Sequence, residues 1–197
     1  MTITPDTKDW TWVLDRPCPE CGFNTSSFQR EQVGSLLQAN AAQWSSVLAS
    51  ADVAVRPRPE VWSSLEYGCH VRDVFRLYAI RLDLMLSEDD PLFANWDQDS
   101  TAVAERYGEQ DPALVSVELG EAAAELAAAF DAVPPEQWER TGRRSDGANF
   151  TVETFAATSS TTRSTISTTP AVRPRLQEAV LRRWTPEHLR IPRQRRI

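Results

Sequence analysis

Apolar positions fall at helical intervals in three long stretches of the chain. In FQREQVGSLLQANAAQWSSVLAS, Val33, Leu36, Leu37, Ala41, Trp44, Val47 and Leu48 recur three or four residues apart, the spacing of one buried helix face. A helix over 28–50 is predicted, closed off by Pro57 and Pro59. Ser63 with Glu66 three residues later carries the signature of a capping box. It opens a second predicted helix over 62–87, with Leu65, Cys69, Val74, Leu77, Ile80, Leu84 and Met85 as candidate core. DDPLFANWDQDSTAVAERYGEQD reads as a long acidic connection. Asp111-Pro112 starts a third helix over 112–132, with Leu119 and Leu126 inward, and Pro134-Pro135 ends it. GRRSDGANFTVETF predicts a turn or short hairpin, with Thr151 capping a fourth helix from Val152. There is no internal repeat and no run of strand-like alternation. The expected fold is all-α, an up-and-down four-helix bundle.

The fourth helix is where the pattern fails. From Thr158 to Thr169, ten of twelve residues are Ser or Thr. Charge breaks at the same place. Residues 1–155 hold 12 Lys+Arg against 26 Asp+Glu, a net −14, whereas 156–197 hold 9 Arg against 2 Glu, a net +7. The expected organisation is therefore a helical bundle domain with an N-terminal extension over 1–155. A Ser/Thr-rich, then Arg/Pro-rich tail follows over 156–197, degrading the fourth helix and poorly ordered.

The genetic code offers a cause. Read one base out of frame, Thr codons become Tyr, His, Asn or Asp, and Ser codons of the TCN type become Phe, Leu, Ile or Val. With G or C favoured at third positions, one restored text after Phe155 is GRYFVHDAVHHLYD, a helix-like pattern that the code permits among others. It places His-x3-His in the slots now filled by Thr161 and Thr165. The tail is read as out of frame.

Composition sets the remaining bounds. Of 197 residues, 41% are hydrophobic and seven are Trp, enough for a core. No run of 18 apolar residues marks a membrane span, and MTITPDTKDWTWVLDRP lacks the pattern of a secretion signal. Three Cys do not make a disulfide framework, so a reduced, cytoplasmic protein is expected.

Candidate chemistry centres on His70, one of two histidines; the other is His188. A lone helical His is most often a packing residue, but a neutral imidazole is also a ligand for Zn, Ni or Fe. His70 is the candidate metal ligand, and it needs two partners from a facing helix. Cys18-Pro-Glu-Cys21-Gly is half a zinc ribbon without its second CxxC, and reads instead as a clasp with two reduced thiols. Asp89, Asp90, Asp97 and Asp99 lack calcium-loop spacing. The Arg-rich tail with Trp184 has the composition of a nucleic-acid arm, but GC-rich text out of frame gives the same composition, and no nucleic-acid partner is expected. Dinucleotide, P-loop and GxSxG motifs are absent.

Over roughly 6–155, the stretches WTWVLDRPCPECGF, VWSSLEYGCHVRDV and FANWDQDSTAVAERYGEQDP resemble an actinobacterial branch of the DinB-like superfamily. That superfamily includes the mycothiol-dependent maleylpyruvate isomerases and the bacillithiol transferases. The resemblance implies a four-helix bundle with a three-His divalent-metal site, one ligand from helix two and His-x3-His from helix four. His70 carries over as the first ligand, and the chain departs from the family where the other two belong. It further implies thiol transfer or isomerisation involving a low-molecular-weight thiol, such as mycothiol, and an electrophile. A homodimer is left open. The loss of two ligands implies an enzyme impaired in this chain. The competing expectation is a non-catalytic helical module for association or stress response, and metal content separates the two.

Overall fold

A computed structural model describes residues 3, 10–17 and 24–159. Cys18, Cys21, Thr161, Thr165 and His188, with the rest of the tail from residue 160, lie outside the described residues.

Helix α1 spans Val33–Leu48, after a 3-10 turn at Arg30–Gln32. It begins later than the apolar spacing predicts, and its N-cap, Gln32, makes no side-chain capping bond. Helix α2 spans Ser64–Ser87 and starts on the expected capping box. Ser63 Oγ accepts from Glu66 N at 3.2 Å, and Glu66 Oε2 accepts from Ser63 N at 2.7 Å. These satisfy two donors that a helix start otherwise leaves open. Helix α4, Pro112–Asp131, has Pro at its first turn, and Asp111 accepts from Ala113 N at 2.8 Å. Helix α5, Val152–Ser159, is capped by Thr151 Oγ1, which accepts from Thr154 N at 3.1 Å.

The acidic connection is more structured than its composition suggests. It holds a two-residue strand β1 (Leu92–Phe93) and helix α3 (Gln98–Ala104), which Asp97 caps by accepting from Asp99 and Ser100 N–H groups. The predicted hairpin forms as β2 (Thr141–Arg144) and β3 (Asn149–Thr151), antiparallel with Gly142 opposite Phe150. Gly147 takes a positive φ of 100° at its turn. Strand β1 pairs parallel with β2, Leu92 to Arg143 and Phe93 to Arg144. Gly142 is needed where the sheet meets α2, because a Cβ there would lie 2.7 Å from Met85 Cγ.

Close approaches give the helix directions. The end of α1 meets the start of α2, where a Cβ on Gly68 would sit 2.9 Å from Leu48 Cδ2. The start of α1 meets the end of α4, where a Cβ on Gly34 would lie 3.1 Å from Asp131 Oδ1. Thus α1 runs antiparallel to both, and α4 returns parallel to α2. That return is possible only because the connection over 88–111 is long. Helix α5 runs antiparallel to α2: Arg140, shortly before it, donates to Met85 O at 2.7 Å, and Thr158 meets Tyr78 further along. Helix α4 packs along both α1 and α2, and the short α5 lies against α2 and α1, which completes the expected four-helix bundle.

The core joins Leu37, Trp44, Leu65, Cys69, Phe75, Leu82, Leu119, Leu126, Phe130 and Phe155. Three expected core positions on α2 differ. Leu77 and Leu84 are half-buried, and Ile80 is 60% exposed. Ile80 shares its helix face with Arg76, Asp83 and Ser87, all exposed, while Phe75 and Leu82 occupy the inward positions.

Candidate functional site

His70 lies on the second turn of α2, half-buried, with its Nδ1 atom buried. Its ring sits between two indoles. Trp96, from the connection after β1, stacks flat on it, centroids 5.2 Å apart and planes 2° apart. Trp62, just before α2, packs at 5.3 Å and 51° on the imidazole and edge-on against Tyr67 and Tyr107. The Trp96 indole N–H donates to Thr101 Oγ1 at 2.8 Å, which ties the ring to the first turns of α3. Two further contacts hold this stretch of the connection. Arg81 donates to Ala94 O at 2.7 Å and covers the Phe93 ring, and Asn95 N donates to Ser145 Oγ at 2.8 Å.

A neighbouring face of α2 carries a buried ionic network. Arg72, 5% exposed, donates to Asp73, to Gln110 Oε1 at 2.8 Å and to Glu118 Oε2 at 2.6 Å. The Tyr107 hydroxyl donates to Asp73 Oδ2 at 2.5 Å. Burial, then this carboxylate, push the Tyr107 phenol well above its ordinary value, so it stays a donor. One turn N-terminal, Arg56 donates to both oxygens of Glu66. Burial pulls the Glu66 carboxyl upward, but the Arg56 and Ser63 hydrogen bonds outweigh it and hold the group below its ordinary value. Glu66 is therefore a charged, fully engaged carboxylate.

Cys69 adjoins His70 in sequence but faces the core, with Sγ 3.5 Å from Gln110 Oε1. Burial pushes its thiol up to about 12. It is neither a thiolate nucleophile nor a ready ligand at neutral pH.

A catalytic divalent centre takes about three protein donors. Among the described residues no three His, Cys, Asp or Glu side chains come together in this way. His70 lies on α2, the described residues do not by themselves make a metal centre, and the expected partner positions, 161 and 165, lie outside them. Sequence reasoning singled out His70 and found the Ser63/Glu66 box. It missed the Trp62–His70–Trp96 sandwich and the Arg72 network, because nothing in local spacing shows which rings or charges meet across the connection.

The chain matches the model of the DinB superfamily over residues 35–159. YfiT from Bacillus subtilis, described as "a probable metal-dependent hydrolase with an unusual four-helix bundle topology", has the same fold. It is 16% identical, with a TM-score of 0.66 over 80% of this chain and 89% of that one. No curated protein matches. Among the described residues, no helix is long and apolar enough to cross a membrane.

Proposed function

The chain belongs to the DinB superfamily, and from that premise we propose that it is an impaired form of a divalent-metal enzyme. The intact enzyme uses Zn, Ni or Fe with a low-molecular-weight thiol such as mycothiol, acting on an electrophile by thiol transfer or isomerisation. In this reading a one-base shift after the Phe155 codon removed two of three ligand histidines. It also set the boundary between the bundle domain, 1–155, and the tail, 156–197.

The observation that carries the reading is the disagreement between fold and sequence at the end of α5. The family match runs to Ser159. Phe155, Ala156, Ala157, Thr158 and Ser159 are all buried in succession, yet the last two carry hydroxyls. Each hydroxyl turns back on its own helix, Thr158 Oγ1 donating to Phe155 O and Ser159 Oγ to Ala156 O, both at 2.7 Å. Slots built for apolar side chains are filled by residues that weaken a helix. Geometry supports the placement of the lost ligands. Helix α5 runs antiparallel to α2, with Thr158 at Tyr78. His70 lies two turns before Tyr78, so a prolonged helix reaches its level about eight residues past Thr158. On a helix prolonged in that way, position 165 would fall near that level and position 161 one turn before it.

The test is to insert one base after the Phe155 codon, purify both forms, and measure metal content and thermal unfolding after exposure to zinc or nickel. One equivalent of metal in the restored form, none in this one, and a metal-dependent rise in melting temperature are expected. Equal binding by both forms, or retention of metal after His70→Ala in the restored form, rejects the proposal. The second reading is a non-catalytic interaction or stress-response module. A metal-free restored form supports it.

A further inference from the structure

We propose that Trp96 is a positioning residue for the His70 imidazole, and that the α2–α4 crossover delivers it there. The inference rests on the reading of His70 as the site imidazole. The torsion that turns a histidine ring about its Cβ–Cγ bond has broad, roughly two-fold preferences, so a helix alone does not fix where the ring nitrogens point. In functional sites that direction is set by neighbours. Here the neighbour is an indole plane parallel to the ring within 2°, at 5.2 Å. The tilted Trp62 ring adds a second indole against the imidazole. Trp96 is itself fixed, its N–H held by Thr101 Oγ1 on α3. Its stretch of chain is held by Arg81 through Ala94 O and by Ser145 through Asn95 N. Each contact comes from a different element. The crossover residues Asp90 and Arg106, at φ 47° and 51°, are the described non-glycine residues with positive φ, and they bracket this segment.

The experiment uses the full chain with His188→Gln, so that His70 is the one histidine. Two readouts report on the ring: its proton chemical shifts, and the rate of carbethoxylation by diethyl pyrocarbonate. In the parent, the indole's ring current displaces the His70 ring protons upfield and the reagent reacts slowly. Trp96→Leu is expected to return the shifts to ordinary values and raise the carbethoxylation rate about tenfold, the scale of losing one aromatic pair. Trp96→Phe restores part of both, and Thr101→Val gives an intermediate rate with the indole still present. Should Trp96→Leu prove too unstable to purify, Thr101→Val decides. The proposal is overturned if these variants leave shifts and rate within twofold of the parent, or if Phe behaves as Leu does. No metal enters these measurements, so they succeed or fail independently of metal binding by the frame-restored chain.

Discussion

Tyr78 on α2 and Thr158 on α5 meet through a 3.2 Å hydrogen bond from phenol to hydroxyl, with the Tyr78 ring stacked on Phe155 at 4.4 Å. This is where the last described turn of α5 is joined to α2. An apolar ring contact and a polar one lie side by side there, one from each side of the compositional break.

Removing the polar half is expected to cost little. Tyr78→Phe keeps the ring stack and loses one hydrogen bond, about 1 kcal/mol in urea unfolding. Ser159→Ala is expected to stabilise by about 0.5 kcal/mol, because Ala is the better helix former and the Ser hydroxyl turns back to Ala156 O on its own helix. A destabilised Ser159→Ala would show that this hydroxyl belongs where it is.

Acid sensitivity should be traceable to Glu66. Its folded-state pKa lies below the ordinary 4.5, so its contribution is complete above the unfolded value. It declines as pH falls through that value and is gone below the folded one. Glu66→Gln is expected to cost about 1.5–3 kcal/mol at pH 7 and much less at pH 3. Urea midpoints at the two pH values check this, and an equal loss at both contradicts it.

The contact of the sheet with α2 leaves no room for a methyl group. Gly142→Ala is expected to destabilise by about 1–3 kcal/mol, since the new carbon must displace Met85. Gly120→Ala, on open surface with nothing within 4 Å of the added carbon, should be neutral or stabilising. A differential unfolding experiment compares the pair.

In a Cys18→Ser, Cys21→Ser background, Cys69 should resist iodoacetamide at pH 8 until the protein is unfolded. Burial and a thiol raised to about 12 both oppose thiolate formation. Labelling of the native protein at the rate of an exposed thiol would refute that account.

Much of the fold was legible because its punctuation is local. The Ser63/Glu66 box, Asp111-Pro112 and the Pro134-Pro135 stop each act within one turn, and the helices obey them. Ile80 was misplaced because apolar spacing on α2 serves several partners at once, and one apolar residue more or less does not reveal which face meets solvent. The segment 92–104 was hidden by its charge. Asp97 reads as acidic loop, yet it caps α3, and the parallel β1–β2 pairing joins residues some fifty positions apart, a register no local pattern encodes. At the site, His70 was visible as a residue type, whereas the stacking of Trp96 depends on the path of the crossover.

The parallel return of α4 also orders the events of folding. Helices α1 and α2 can pair soon after they leave the ribosome, but α1 waits for α4 before Gly34 meets Asp131, nearly a hundred residues later. Loop closure over such a span is entropically slow, so the growing chain carries a half-covered hairpin through most of its synthesis. Chaperone demand should therefore peak before residue 131 leaves the ribosome, not after. Pulse proteolysis of nascent chains stalled at 110 and at 197 should show protection only at the longer length, where all of α4 has cleared the ribosome.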